Sequence, residues 1–170
     1  VYPIIRKEII DAKPADDEHI VVYQTSSTQD DLIERLLALP RERFLVYGFN
    51  KEESHGNVQL KKFSETTFVK HFATAKAVLS NGGFSFLSEA VYLKKPIFSV
   101  PIQNQFEQFV NASYINKLGY GMMAHQFDPQ AIKSFLYDLP SYRESLRSYT
   151  HDHNQTLFAR LDQILQAKEK

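Results

Sequence analysis

The 170-residue sequence contains no cysteine. That removes a disulfide framework, a thiolate zinc site and a cysteine nucleophile, and it fits a reducing compartment. Charge of one sign is also missing: 20 basic and 20 acidic side chains give a formal net charge of zero. A chain without a basic surplus has no general means of gripping a polyanion, so nucleic acid and an anionic bilayer surface are disfavoured as partners. No stretch approaches the roughly 18 consecutive apolar residues of a membrane-spanning helix. Finally, no initiator methionine is present, for the chain begins Val1-Tyr2-Pro3. The expectation is a part of a longer protein.

What is present is 43% hydrophobic and 13% aromatic residues, enough for one globular domain with a sizeable core. Residues 1–18, VYPIIRKEIIDAKPADDE, hold two prolines and an acidic run and read as a linker or leading arm, with the domain proper over residues 19–170. His19 to Gln24 (HIVVYQ) is a β-branched apolar run suited to a strand buried on both faces. Further strands are expected at Arg43 to Phe49, Asn57 to Phe63, Ala77 to Ser80 and Pro96 to Pro101. Helices are expected at Asp31 to Ala38, Thr67 to Ala75, Phe84 to Leu93 and Gln105 to Leu118. Asp128-Pro129 is an N-cap followed by proline at the first helical position. Tyr142 to Ala167 is expected as one helix with a stripe of Leu157, Phe158, Leu161, Ile164 and Leu165. Strands alternating with helices mean βαβ units: an α/β fold, a Rossmann-like parallel sheet with helices on both faces. Ligands of such sheets bind beyond the carboxyl ends of the strands.

Three strand-end loops therefore matter. In Thr25-Ser26-Ser27-Thr28-Gln29-Asp30-Asp31, Thr28 suits a cap and Asp31 the helix dipole, while Thr25 and Ser26 are secondary candidates for phosphate contacts. The second loop, Ser80-Asn81-Gly82-Gly83-Phe84-Ser85, joins a strand to a helix with no carboxylate in the first turn. Paired glycines there let a ligand approach the backbone, and the free amides at the helix start suit a diphosphate without metal or lysine. Asn81 and Ser85 could add side-chain hydrogen bonds, and Glu89 further along the same helix could accept from the vicinal hydroxyls of a ribose. A Gly-Gly turn serving only tight packing is the competing reading. The third loop runs from Val100 into a helix that opens with the acid and amide pair Glu107-Gln108, groups able to accept from and donate to the hydroxyls of a hexose.

The stretch SNGGFSFLSEAVYLKKPIFSVPIQNQFEQFVNASYINKLGYG, residues 80–121, resembles the donor-binding core of GT-B glycosyltransferases. It is most similar to the group holding the MurG-type N-acetylglucosaminyltransferases and the UDP-glycosyltransferases, with relatives labelled teichoic-acid biosynthesis proteins. The shared pattern is Gly-Gly, a Glu six residues on, Lys-Pro before a strand, Pro after it, an acid-Gln pair, and Asn-Ala. The resemblance implies the C-terminal half of that fold and a UDP-sugar as the donor substrate, with no cofactor. Gly82, Gly83 and Phe84 would present amides to the diphosphate, Glu89 would bind the ribose, Glu107 and Gln108 the donor sugar, and Asn111 would brace the helix or the phosphate loop within the sugar site. By position in the fold, Phe63 and Ser64 would meet the uracil. The family often has His or Ser where Asn81 stands, and Thr or Ser where Phe86 stands. The resemblance also implies a partner N-terminal domain carrying the acceptor site and base, so that this chain alone turns over nothing. An acceptor in a cell-envelope glycan or lipid-linked saccharide, and a cytoplasmic location at the inner face of the membrane through that other domain, complete the expectation.

No Asp-X-Asp triplet occurs, which argues for a metal-independent site. His151 and His153 stand at i and i+2, spacing that points two helical side chains apart, so they are not expected to bind a metal. A UDP-sugar 2-epimerase of the same fold would carry a Thr-Glu-Arg run where IQNQFEQ stands, and a dinucleotide-dependent dehydrogenase would carry Gly-X-Gly-X-X-Gly where TSSTQDD stands. A non-catalytic nucleotide-sugar-binding module is the remaining alternative.

Overall fold

A computed structural model describes residues 2–24 and 31–168. In chain order the strands are β1 (His19–Tyr23), β2 (Arg43–Tyr47), β3 (Glu53–His55), β4 (Val58–Lys61), β5 (Ala77–Ser80), β6 (Ile97–Ser99) and β7 (Gly121–Met123). The helices are α1 (Lys7–Ile10), α2 (Leu32–Leu37), α3 (Glu65–Thr74), α4 (Phe84–Tyr92), α5 (Phe106–Lys117), α6 (Pro129–Tyr137), α7 (Leu139–Arg147) and α8 (Gln155–Lys168). The strands form one sheet in the order β3-β4-β2-β1-β5-β6-β7, parallel throughout except for β3, which runs antiparallel to β4. This is the expected α/β architecture. The chain builds outward from β1 through β2 to β4, then returns to lay β5 on the other side of β1. That reversal opens a crevice at the carboxyl ends of β1 and β5, where ligands of doubly wound sheets bind.

The apolar runs explain the two-sided core. Val21 of β1 faces a cluster with Leu45, Phe68, Phe72, Val78, Phe86 and Ala90. Its neighbours Ile20 and Val22 face the opposite cluster, with Leu32, Leu36, Phe44, Leu79, Phe98 and Phe135. Alternate side chains of a strand point to opposite faces, so a continuous apolar run is required where helices cover both. Phe68 and Phe72 face inward, as the helical spacing predicts. Asp128 caps α6, its Oδ2 accepting from Ala131 N at 2.8 Å ahead of Pro129.

Three features depart from the sequence reading. The leading segment is packed rather than detached: Ile5 and Ile9 are fully buried in the first cluster, with α1 between the prolines. Burying two isoleucines is worth about 1.5–3 kcal/mol each, which outweighs the loop-like composition around them. The expected single helix from Tyr142 to Ala167 is two helices. His153 and Asn154 take positive φ (55° and 67°), which no helix accommodates, and the Asp152 carboxylate instead accepts from Asn154 N and Thr156 N to start α8. Third, Phe158, Leu161, Ile164 and Leu165 of the expected stripe are exposed on α8. Among the described residues no helix is long and apolar enough to cross a membrane.

Candidate functional site

The crevice is built by the turn after β5, the start of α4, the loop from β6 into α5, and the loop from β4 into α3. Glycines 82 and 83 do different work in the first of these. Gly82 has φ +98°, and a Cβ placed on it would lie 3.0 Å from the Gln108 carbonyl oxygen, 3.2 Å from Ser99 Oγ and 3.3 Å from Gln108 Cβ. It is the point where the turn presses against α5, and its amide donates to Ser80 Oγ at 3.4 Å. A Cβ on Gly83, by contrast, would meet nothing within 4 Å.

Gly83 is the N-cap of α4 with ordinary extended backbone; no side chain caps the helix and no acid stands in its first turn. Gly83, Phe84 and Ser85 are all exposed. The helix start is thus uncovered at the carboxyl end of β5, where first-turn amides lack intrahelical partners and the helix dipole is positive. Asn81 lies deeper: it is buried, and its Nδ2 donates to the Val100 carbonyl at 3.2 Å, joining the ends of β5 and β6. Buried Ser99 Oγ beneath the turn, and both amide atoms of buried Gln24 at the end of β1, make no hydrogen bond among the described residues. Thr25, Ser26 and the capping residue Thr28 lie outside the described residues.

The acid-amide pair divides in the same way. Glu107 is exposed at the first turn of α5 and has no partner among the described residues. Gln108 is half-buried; its Oε1 accepts from Ile102 N at 3.1 Å, which leaves the amide NH2 to donate elsewhere. Asn111, one turn further on, donates from Nδ2 to the Gly82 carbonyl at 3.1 Å, tying α5 to the glycine turn. Beside this loop lies a groove of about 370 Å³ lined by Pro101, Ile102, Asn104, Gln105, Phe106 and Met123 among others.

On the far side of α4, Glu89 is 5% exposed and does not stand alone. Arg6, from the leading segment, donates Nε to Oε1 at 2.6 Å and a second guanidinium nitrogen to Oε2 at 2.9 Å, while its third nitrogen donates to Glu65 at 2.9 Å. The hydrogen bond to Glu89 and the nearby carboxylates raise the Arg6 pKa further above its ordinary value. Glu65 opens α3, directly after Ser64, the N-cap, and Phe63. Phe63 is exposed, its ring 5.4 Å from that of buried Phe68. Arg6 therefore links the helix carrying Glu89 to the loop of Phe63 and Ser64. Reading the sequence for motifs does not find Arg6, because it sits in a segment with the composition of a linker. The signal was the paired isoleucines flanking Arg6-Lys7-Glu8, a short apolar-polar-apolar pattern.

His151 is engaged elsewhere: Nε2 donates to the Pro3 carbonyl at 2.8 Å and Nδ1 accepts from His153 N at 2.9 Å. Among the described residues no three or more His, Cys, Asp or Glu side chains come together in a metal-binding cluster.

Residues 1–140 match the family described as glycosyl transferase family 1. The chain belongs to glycosyl transferase family 1. Two uncharacterised glycosyltransferases of Methanosarcina mazei and Methanosarcina acetivorans are 36% and 34% identical to it over 77 residues, 45% of this chain and 20% of each relative. The match thus spans about a fifth of the length of these curated relatives. Among solved structures, the kitacinnamycin glycotransferase superposes with a TM-score of 0.61 at 18% identity, covering 85% of this chain and 42% of its own. The calicheamicin glycosyltransferase CalG4 gives 0.59 at 19% identity over 85% and 40%. The spinosyn rhamnosyltransferase SpnG complexed with thymidine diphosphate gives 0.58 at 16% over 78% and 40%. At these identities the structures establish the fold, and the sheet of the family 1 chain matches that of GT-B glycosyltransferases.

Proposed function

We propose that this chain is the C-terminal, donor-binding half of a GT-B glycosyltransferase and takes a UDP-sugar without a metal ion, for transfer to an acceptor hydroxyl. The observation that carries the reading is the uncapped start of α4 at the carboxyl end of β5, exposed and free of acidic residues in its first turn. Amides of Gly83, Phe84 and Ser85 would meet the diphosphate, with Asn81, Gly82 and Asn111 shaping the turn from beneath. Glu89 would accept from the ribose, Glu107 and the free NH2 of Gln108 would hold the sugar beside the groove at the β6–α5 loop, and Phe63 and Ser64 would meet the base.

Glycosyl transfer breaks the bond between the sugar's anomeric carbon and the diphosphate, so charge grows on the leaving group. Preorganised backbone amides stabilise that charge and lose no energy in reorganising at the moment of reaction. The hydroxyl contacts hold the anomeric carbon in line for attack. In this reading the described residues of the crevice hold the donor, and the base and acceptor site belong to another domain of the protein. A cell-envelope or lipid-linked saccharide is the acceptor class in this proposal.

Thymidine diphosphate bound to SpnG makes the base the sharpest point of test. Calorimetric titration with UDP, dTDP and ATP is expected to show binding of UDP, weaker binding of dTDP and none of ATP, with no sugar transfer by this chain alone. Equal heats for UDP and ATP would refute the uracil assignment. No heat with any nucleotide, together with robust transfer by the chain alone, would refute the donor-half reading.

A further inference from the structure

Glu89 was singled out by its position, but the structure shows its carboxylate already held. Arg6 engages both oxygens side-on, at 2.6 and 2.9 Å, and is itself held by Glu65 at 2.9 Å. The side chain of Glu89 is 7% exposed and that of Arg6 39%. Two arrangements are compatible with an arginine on a ligand-binding carboxylate: a latch that competes with the ligand, or a brace that aims the carboxylate at it.

Three observations favour the brace. A carboxylate offers about four lone-pair sites, and the side-on arginine occupies one on each oxygen, leaving two to accept from a vicinal diol. The guanidinium is fixed on its other side by Glu65, so it is not a freely swinging arm. Its backbone is fixed as well: Ile5 N donates to Asn154 Oδ1 at 3.0 Å and Asn154 Nδ2 donates to the Ile5 carbonyl at 2.7 Å, with Ile5 fully buried. A planar, bidentate fork is the geometry that fixes a carboxylate's plane as well as its position.

We propose that Arg6 is a positioning residue of the donor site, holding the Glu89 carboxylate in the orientation that presents its remaining lone pairs to the two ribose hydroxyls. This rests on the ribose role given to Glu89 above. It brings a residue 83 positions away in sequence into the recognition of a ribonucleotide over its deoxy counterparts.

The test compares binding of UDP and 2′,3′-dideoxy-UDP by the wild-type protein, Arg6→Ala, Arg6→Lys, Glu89→Ala and the double variant Arg6→Ala/Glu89→Ala, with thermal unfolding of each. Wild type is expected to favour UDP by about tenfold or more, the worth of one charge-assisted hydrogen bond. In Arg6→Ala that preference should fall to under about threefold, as in Glu89→Ala, with no further loss in the double variant. Arg6→Lys retains a positive charge but not the fork, and serves if the alanine variant does not fold; its preference should fall between the two. An Arg6 variant that is less stable but keeps the wild-type preference would show a purely structural ion pair and overturn the proposal. Tighter UDP binding by Arg6→Ala would overturn it in favour of a competing latch. A wild type that binds UDP and the dideoxy compound equally would remove the ribose role of Glu89 and this inference with it, while leaving the diphosphate site standing. A wild type that binds neither removes the donor reading altogether.

Discussion

The two glycines of the β5–α4 turn offer a paired substitution in which neighbouring positions should respond in opposite ways. At Gly82, alanine inherits φ +98° and a Cβ at 3.0–3.3 Å from three atoms, one of them a main-chain oxygen of α5. The backbone conformation costs about 1–2 kcal/mol for an L-residue, and overpacking adds about 1–3 kcal/mol. Because Asn111 also holds the Gly82 carbonyl at 3.1 Å, the turn has little room to relax. The combined loss, about 2–5 kcal/mol, should lower the midpoint of thermal unfolding by about 4–20 °C for a domain of this size. At Gly83, alanine enters open space with φ −63° and ψ 129°, and stability should stay within about 0.5 kcal/mol of wild type or rise slightly. Its methyl group, however, stands where a diphosphate would approach the helix start. Gly83→Ala should therefore weaken UDP binding at unchanged stability. Scanning calorimetry and isothermal titration of both variants decide the matter. Equal unfolding midpoints for the two would refute the division of labour, and undiminished UDP binding by Gly83→Ala would remove the diphosphate from this turn.

Asn154→Asp keeps the acceptor for Ile5 N but turns the donor toward the buried Ile5 carbonyl into a second acceptor, and should cost about 1–3 kcal/mol in urea unfolding; no change would mean that the leading segment is not integral to the fold. His71 should make stability depend on pH. Burial first, then nearby positive charges, lowers its pKa from 6.5, and its Nδ1 pairs with Tyr47 Oη at 2.6 Å; burial raises that phenol to about 12, so it donates to the neutral ring. The unfolded chain takes up this proton first as pH falls, so the contribution of His71 is full above pH 6.5 and is lost as pH falls toward the lowered folded-state value. Urea midpoints between pH 7.5 and 5 should drop in wild type and drop less in His71→Gln, and parallel profiles would refute the assignment.

Much of the fold is written locally. HIVVY announces a strand buried on both faces, and Asp128-Pro129 announces a helix start, because each depends only on neighbours in sequence. The glycine turn and the acid-amide pair are legible for the same reason: spacing within one βαβ unit sets their placement. What sequence does not show is who answers Glu89, since its partner arrives from a proline-flanked segment whose burial depends on distant α3 and on Asn154. Nor does it show the break between α7 and α8. No glycine or proline marks it, and the reversal falls on His153 and Asn154, where a local bond to His151 and a long-range bond to Ile5 accompany positive φ. Strand β3 is three exposed residues with no periodicity to read.

The pairing of Ile5 with Asn154 has a consequence for how the domain is made. The two residues are 149 positions apart, so the ribosome delivers Arg6 long before the side chain that fixes its backbone. The sheet and α4 can form while the leading segment is still unanchored, for contacts of long sequence separation carry the largest loop-closure cost. The clamp on the Arg6 backbone thus forms only after Asn154 has emerged. A nascent chain that stops short of Asn154 would display the glycine turn without the clamp that fixes the Arg6 backbone beside Glu89, and on the positioning role proposed for Arg6 the full preference for ribose would await that clamp.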